Sequence, residues 1–385
     1  MRPNDRSARL AGSPTLALDA RAKELRAAGV DVVNMAVGEP DFDAPGAVQE
    51  AARSTVGGGN VRYTPPAGRP SLRKAIASYL TDTRGVEFAP EEVAVTHSAK
   101  HALSHALLCL IEQGDEVLLP DPIWASYVEQ VRFAGGVPVH APPRSDLGPD
   151  FDALRAACGP RTRGIMMNSP CNPSGYVWTE EELGELVQLA EERDLWIISD
   201  EIYRRLVYDG SSSPSPVGIS EAGRARTLIV DGASKTYAMT GYRIGFLAGS
   251  REVIRALTNL QSQLSGCPNA ISQAAYEAAL ISEPEEVEGM AAEFDSRRRV
   301  LVDGLRSLGL ETTTPLGAFY AFPSVHPHLD DRGSEGFCED LLEAEALVIV
   351  PGSVFGMDTH VRLSYATSLE NVEEALVRLG RFLQR

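Results

Sequence analysis

The stretch DGASKTYAMTGYRIG, Asp231 to Gly245, sets a single lysine, Lys235, among small residues in a chain whose charge is carried mainly by glutamate and arginine. An amine so placed can condense with a carbonyl to form a Schiff base, and Gly232, Ala233 and Ser234 would let a bound group lie close to the backbone. Other reactive groups follow short apolar runs: Asn168 to Gly175 (NSPCNPSG) after GIMM, Asp200 to Tyr203 (DEIY) after WIIS, and Ser98, Ala99 and Lys100 after VAVT. A carboxylate such as Asp200 can keep a ring nitrogen protonated, an amide and a phenol can donate to an oxyanion, and N–H groups at a helix start can hold a phosphate. Taken singly, each has an ordinary structural role: Asp200 as a helix cap, Asn172-Pro173 as a turn, Lys235 as a solvated surface residue. Together, at the ends of successive runs, they form a set.

The runs themselves imply the scaffold. From Val93 to about Gly249, VAVT, EVLLP, VPVH, GIMMN, WIISD, TLIVD and RIGFLAG alternate with helical stretches such as Glu180 to Arg193, where Leu183, Leu186, Val187 and Ala190 recur at helical spacing. That alternation predicts an α/β fold, a mainly parallel sheet with helices on both faces. Ligands of such sheets bind at the carboxyl ends of the strands, so the residues above would converge on one crevice. The flanks differ in character. An irregular segment and VVNMAVGEPDF come before; a helical tract from Arg251 to about Leu308, then GAFYAF, ALVIVPG and HVRLSYA, come after. Both ends are expected to meet in a smaller α+β domain. This gives an N-terminal arm with part of the small domain over 1–45, a large domain over 46–285 and the rest of the small domain over 286–385.

Composition narrows the partners. The 385 residues suit a two-domain enzyme or one large α/β unit, and a formal charge of -17 argues against nucleic acid or an anionic membrane surface. No apolar run approaches the roughly 20 residues of a membrane-spanning helix, and MRPNDRSARL lacks a signal-peptide core, so the chain reads as soluble and cytoplasmic. Cys109, Cys158, Cys171, Cys267 and Cys338 are widely spaced without a C-x-x-C, which points to reduced thiols rather than disulfides or zinc.

The segments GASKTYAMTGYRIG, NPSG, SDEIY, AVGEPDF, YTPPAG and VRLSYA together resemble the class I aminotransferases, pyridoxal-phosphate enzymes of the aspartate aminotransferase fold, over nearly the whole chain. The resemblance implies that Lys235 holds pyridoxal phosphate as a Schiff base and then moves the substrate Cα proton. It implies that Asp200 pairs with the pyridine nitrogen, that Asn172 and Tyr203 donate to the ring's O3′, and that Trp124 in DPIWASY stacks on the ring. The phosphate would lie at Ser98, Ala99 and Lys100, with Arg243 adding a charged contact and Tyr63 in VRYTPPAG reaching it from the neighbouring subunit of a homodimer. Arg362 would grip the substrate α-carboxylate with help from the Gly38 backbone. Lys100 and Thr15 match positions that read a distal carboxylate, so an acidic amino acid, aspartate or glutamate, and a 2-oxo acid are the expected substrates. Core packing for Trp124, a surface ion pair for Arg362 and simple phosphate support for Lys100 are the competing roles.

His97, Ala99 and Cys171 depart from the family wording, as a transaminase of specialised metabolism could. His97, His101 and His105 recur every four residues, a spacing that on a helix can present metal ligands, but no suitably spaced carboxylate or cysteine accompanies them, and no metal is expected. Two rival functions remain in view. One is another outcome on the same cofactor, as in a lyase, cyclase or oxidase. The other is a non-catalytic sensor, against which stand the joint presence of Lys235, Asp200 and Arg362 and the lack of a basic DNA-binding segment.

Overall fold

The computed structural model describes every residue of the chain except Arg9, Ser13 and Asn60. The strands in chain order are β1 (Val33–Asn34), β2 (Val93–Thr96), β3 (Glu116–Pro120), β4 (Val137–Ala141), β5 (Thr162–Asn168), β6 (Trp196–Asp200), β7 (Thr227–Gly232), β8 (Gly245–Ala248), β9 (Tyr320–Ala321), β10 (Leu347–Val348), β11 (Val350–Pro351) and β12 (Val361–Ser364). Strands β2 to β8 form one sheet in the order β2-β8-β7-β6-β5-β3-β4. Pairing is parallel except at β8, which runs antiparallel to both neighbours. Each apolar run singled out between Val93 and Gly249 is therefore a strand of this sheet.

Period-two alternation sends neighbouring side chains to opposite faces. Val117, Leu119, Met166 and Ile198 pack with Leu103 and Leu107 of the helix Ala99–Leu110. Leu118, Ile165, Met167 and Ile197 pack on the other face with Leu183, Leu186, Val187 and Ala190 of the helix Glu180–Glu192. That second helix starts with a reciprocal cap, Thr179 Oγ1 accepting from the Glu182 N–H and Glu182 Oε2 from the Thr179 N–H.

The two chain ends meet as the sequence implies. β1 pairs in parallel with β10, and β9, β12 and β11 form an antiparallel sheet, covered by the helices Glu286–Ser307, Gly333–Glu345 and Leu369–Leu383. The helical tract expected from Arg251 to about Leu308 is present, and one reading of the flanks, the irregular N-terminal segment, needs correction. The helical tract after Arg251 is three helices, Arg251–Leu264, Ala270–Ser282 and Glu286–Ser307, broken where Gly266 turns at φ 79° ahead of Pro268 and where Pro284 follows Glu283. The N-terminal flank is not irregular: it holds the helices Pro14–Ala27, Gly46–Gly57 and Pro70–Arg84. The last of these starts on a proline and buries Leu72, Ile76 and Leu80 at four-residue spacing.

Arg84, ending that helix, is fully buried and contacts Glu201 at 2.7 Å and Asp231 at 3.2 Å. It thereby joins the carboxyl ends of β6 and β7, the strands that lead to Asp200 and Lys235. The five cysteines carry free thiols, and no helix among the described residues is long and apolar enough to cross a membrane.

Candidate active site

A cleft of about 330 Å³ opens at the carboxyl ends of the strands. Its walls include Ser98, Ala99, Lys100, Trp124, Asn172, Asp200, Tyr203, Lys235 and Arg243 from the large sheet and its loops, and Thr15, Gly38 and Arg362 from the chain ends. Tyr63 is not among them; its side chain is 98 % exposed on the outer surface. The rest of the residues expected from the sequence thus meet in one place.

Lys235 follows β7, and its Nζ donates to the Gly38 carbonyl at 2.5 Å. Desolvation at the cleft floor brings its amine down to about 8; Glu39 opposes that shift, while the cationic Arg243 and Arg362 add to it. Asp200 ends β6 and is buried, which pushes its carboxyl up to about 6 against the stabilising hydrogen bonds it accepts. Those come from the Tyr127 hydroxyl at 2.7 Å and the Ile202 N–H at 3.2 Å. A carboxylate held in this state favours a cationic partner, because an opposite charge nearby offsets desolvation.

Arg362, on β12, is 2 % exposed. Its Nη1 donates to Asn172 Oδ1 at 2.9 Å and its Nη2 to the Ala36 carbonyl at 2.7 Å, while its buried Nε has no partner among the described residues. The guanidinium lies 4.4 Å from the Tyr320 ring centroid. The Tyr320 hydroxyl is 2.9 Å from the Tyr203 hydroxyl, and it faces Gly38, where any Cβ would come within 2.9 Å of it. Each Nη of this guanidinium makes one hydrogen bond and keeps a second N–H, and Arg362 lines the polar cleft, an arrangement suited to a carboxylate.

The far end of the cleft is a helix start. Ser98 sits at φ 147° and caps the helix through its Oγ, which accepts from the His101 N–H at 3.2 Å; as in any helix, the first-turn N–H groups of Ala99 and Lys100 have no acceptor within the helix itself. β8 passes directly beneath: a Cβ on Gly245 would lie 2.5 Å from the Ala99 nitrogen, so only glycine fits. Arg243 lies at this end, and the Lys100 ammonium stands 4.6 Å from the Trp124 ring centroid.

His97, just before the helix Ala99–Leu110, meets His101 edge-on with ring centroids 4.9 Å apart, and His101 meets His105 at a tilt with centroids 3.8 Å apart. No group of His, Cys, Asp or Glu among the described residues is arranged to hold a metal. Cys171 is buried, its thiol directed to the Pro122 carbonyl at 3.4 Å. Glu39, Tyr127, Thr240 and Tyr320 also line the cleft without having been singled out in the sequence, and Asn168 and Ser234, from segments that were, line it too. Tyr127 and Tyr320 carry no local sequence signal that sets them apart from core aromatics.

The family model for aminotransferases of class I and II matches residues 30–379. An aspartate/prephenate aminotransferase of Thermus thermophilus is 43 % identical over 97 % of this chain and 96 % of its own length. An aspartate aminotransferase of Geobacillus stearothermophilus is 40 % identical over 98 % of each. The solved structure of the Thermus thermophilus aspartate aminotransferase with maleate superposes with a TM-score of 0.94 at 42 % identity, covering 99 % of this chain and all of that one. The chain belongs to the class I and II aminotransferases. It is a pyridoxal-phosphate-dependent transaminase with the two-domain architecture of the aspartate aminotransferases. The cleft fits that cofactor: it offers an amine of lowered pKa, a buried carboxylate awaiting a cation, and helix-start N–H groups beside an arginine.

Proposed function

We propose that this transaminase moves the amino group between an acidic amino acid, aspartate first, and a 2-oxo acid, with the residue roles that follow. The observation that carries the reading is the convergence of the Lys235 amine, the buried Asp200 carboxylate and the unsaturated Arg362 guanidinium on one cleft. The aspartate aminotransferases among its relatives and the Lys100 and Thr15 side of the cleft support an acidic substrate.

When bound, pyridoxal phosphate supplies a carbonyl for the amino group and a ring that accepts the electron pair released at the substrate Cα. Arg362 binds the substrate α-carboxylate, and the Gly38 backbone, already within reach of Lys235, completes that end. Lys235 Nζ, closer to neutral than an ordinary lysine, takes the Cα proton and gives it back on the other side of the exchange. Asp200 holds the ring nitrogen in its charged form, with Tyr127 fixing the carboxylate. Asn172 and Tyr203, which line the cleft, would donate to the ring oxygen, and Trp124 would cover the ring face. Ser98, Ala99, Lys100 and Arg243 hold the phosphate.

The exposed Tyr63, with Val61 and Leu264 also exposed, supports a homodimer in which Tyr63 completes the partner's phosphate site. The pairing of β1 with β10 supports the division into 1–45 with 286–385 and a large domain over 46–285. A cytoplasmic enzyme of amino acid metabolism fits these properties. The test is the half-reaction: the visible spectrum of purified holoenzyme, recorded as single amino acids are added. Aspartate and glutamate should bleach the band at the lowest concentrations, and a response to neutral amino acids alone would reject the acidic substrate.

A further inference from the structure

The hydroxyls of Tyr203 and Tyr320 lie 2.9 Å apart in a buried pocket, one on the large unit and one on β9 of the small one. Tyr203 is 4 % exposed and Tyr320 1 %. Each hydroxyl has one proton to give. If Tyr203 donates to Tyr320, it has none left for an acceptor in the cleft; if Tyr320 donates to Tyr203, the Tyr203 proton is free. The surroundings decide the direction. The other charged group on Tyr320 is the Arg362 guanidinium, 4.4 Å from its ring centroid, which can only donate and so offers the Tyr320 proton no alternative acceptor. Burial raises the Tyr320 phenol and Arg362 opposes that rise, a cation at the ring face favouring loss of the proton.

We propose that Tyr320 is a positioning residue acting through Tyr203: its hydroxyl donates to the Tyr203 oxygen, turning the Tyr203 proton into the cleft, while its ring seats the Arg362 guanidinium. The proposal rests on the reading that Tyr203 donates to the ring oxygen of the bound cofactor. A hydrogen bond received by a hydroxyl oxygen strengthens the bond that hydroxyl gives, by about 10–30 % per link. Tyr320 therefore tunes how strongly Tyr203 stabilises the unprotonated form of the cofactor bound at Lys235. It also joins the two ends of the cleft, since one side chain serves the donor to the cofactor and the arginine for the carboxylate.

The experiment reads a spectroscopic midpoint rather than turnover. Holoenzymes carrying Tyr203→Phe, Tyr320→Phe and both changes are titrated with pH, and the midpoint of the visible absorption change is compared with that of the unaltered protein. Loss of a donor favours the protonated form, so Tyr203→Phe should raise the midpoint. Tyr320→Phe, which keeps the ring under Arg362, should raise it by about 10–30 % of that shift. The double variant should match Tyr203→Phe alone, because the effect passes through Tyr203. An unmoved or lowered midpoint for Tyr320→Phe, or additive shifts in the double variant, would overturn the relay while leaving Tyr203 as the donor. A Tyr203→Phe midpoint equal to that of the unaltered protein would overturn the underlying reading and the relay with it. Should Tyr320→Phe fold poorly, 3-fluorotyrosine at position 320, a stronger donor of nearly the same size, must lower the midpoint, and a rise there would equally reject the proposal.

Discussion

Burial acts on Lys235 and Asp200 in opposite senses, lowering the amine to about 8 and raising the carboxyl to about 6, so each is held in a state that a charged, proton-transferring ring would exploit. Replacing Asp200 with alanine removes the only acid facing that ring from β6. Breaking a buried charge pair costs about 3–5 kcal/mol, and each 1.36 kcal/mol is tenfold in rate, so turnover should fall by roughly 10² to 10⁴. Steady-state kinetics at saturating cofactor measures it; near-normal turnover would make Asp200 structural. Lys100 is tested by selectivity. A charge-assisted hydrogen bond is worth about 1.5–3 kcal/mol, so Lys100→Ala should raise the Michaelis constant for aspartate by about 10- to 100-fold and spare that for alanine. Equal losses for both, with weakened cofactor affinity, would assign Lys100 to the phosphate alone. Residues such as Lys235, Asp200 and Asn172 were legible in the sequence because polar groups right after apolar strands have few structural reasons to be there. Tyr127 and Tyr320 were not, because an aromatic residue amid apolar ones signals packing, and their hydroxyl contacts arise from segments 73 and 117 residues away.

At the scale of elements, the helix Ala99–Leu110 carries the turn proposed to hold the phosphate together with His101 and His105, and His97 packs against them from just before its cap. Burial holds His97 and His105 below the usual histidine range and His101 down to about 3, where its two histidine neighbours add to the effect. The folded state therefore binds fewer protons than the unfolded chain once pH falls below the ordinary value of about 6.5. Stability is fully present above that value and should decline as pH drops from about 6.5 towards 3. Chemical denaturation midpoints across that range should show the decline, and His101→Gln should flatten it; a variant with an unchanged profile would assign acid sensitivity elsewhere. The seven strands of the main sheet were readable because each is short, apolar and punctuated. The helix Pro14–Ala27 was not singled out, since its stripe of Leu18, Ala22 and Leu25 is short and only Ala22 is fully buried. Of the run GAFYAF only Tyr320 and Ala321 form the strand β9.

The whole molecule places its cleft where the two units meet: the large sheet brings Lys235 and Asp200, the chain ends bring Gly38 and Arg362, and Arg84 braces β6 and β7 from behind. That the ends join was legible in their shared α+β character, but the seat of each residue on the other unit was not, because register across units leaves no local pattern. The exposed Tyr63 extends the argument to a second copy. Sedimentation should give twice the chain mass, and Tyr63→Ala should weaken cofactor binding without altering the subunit fold; a monomer with full cofactor affinity would contradict the shared site. The most direct test uses the scarcity of lysine: the chain has only Lys23, Lys74, Lys100 and Lys235. Borohydride reduction of the holoenzyme followed by peptide mass mapping should abolish the visible band and place the cofactor on Lys235, whereas a label on Lys100, which lines the same cleft, or on either of the others would contradict the account.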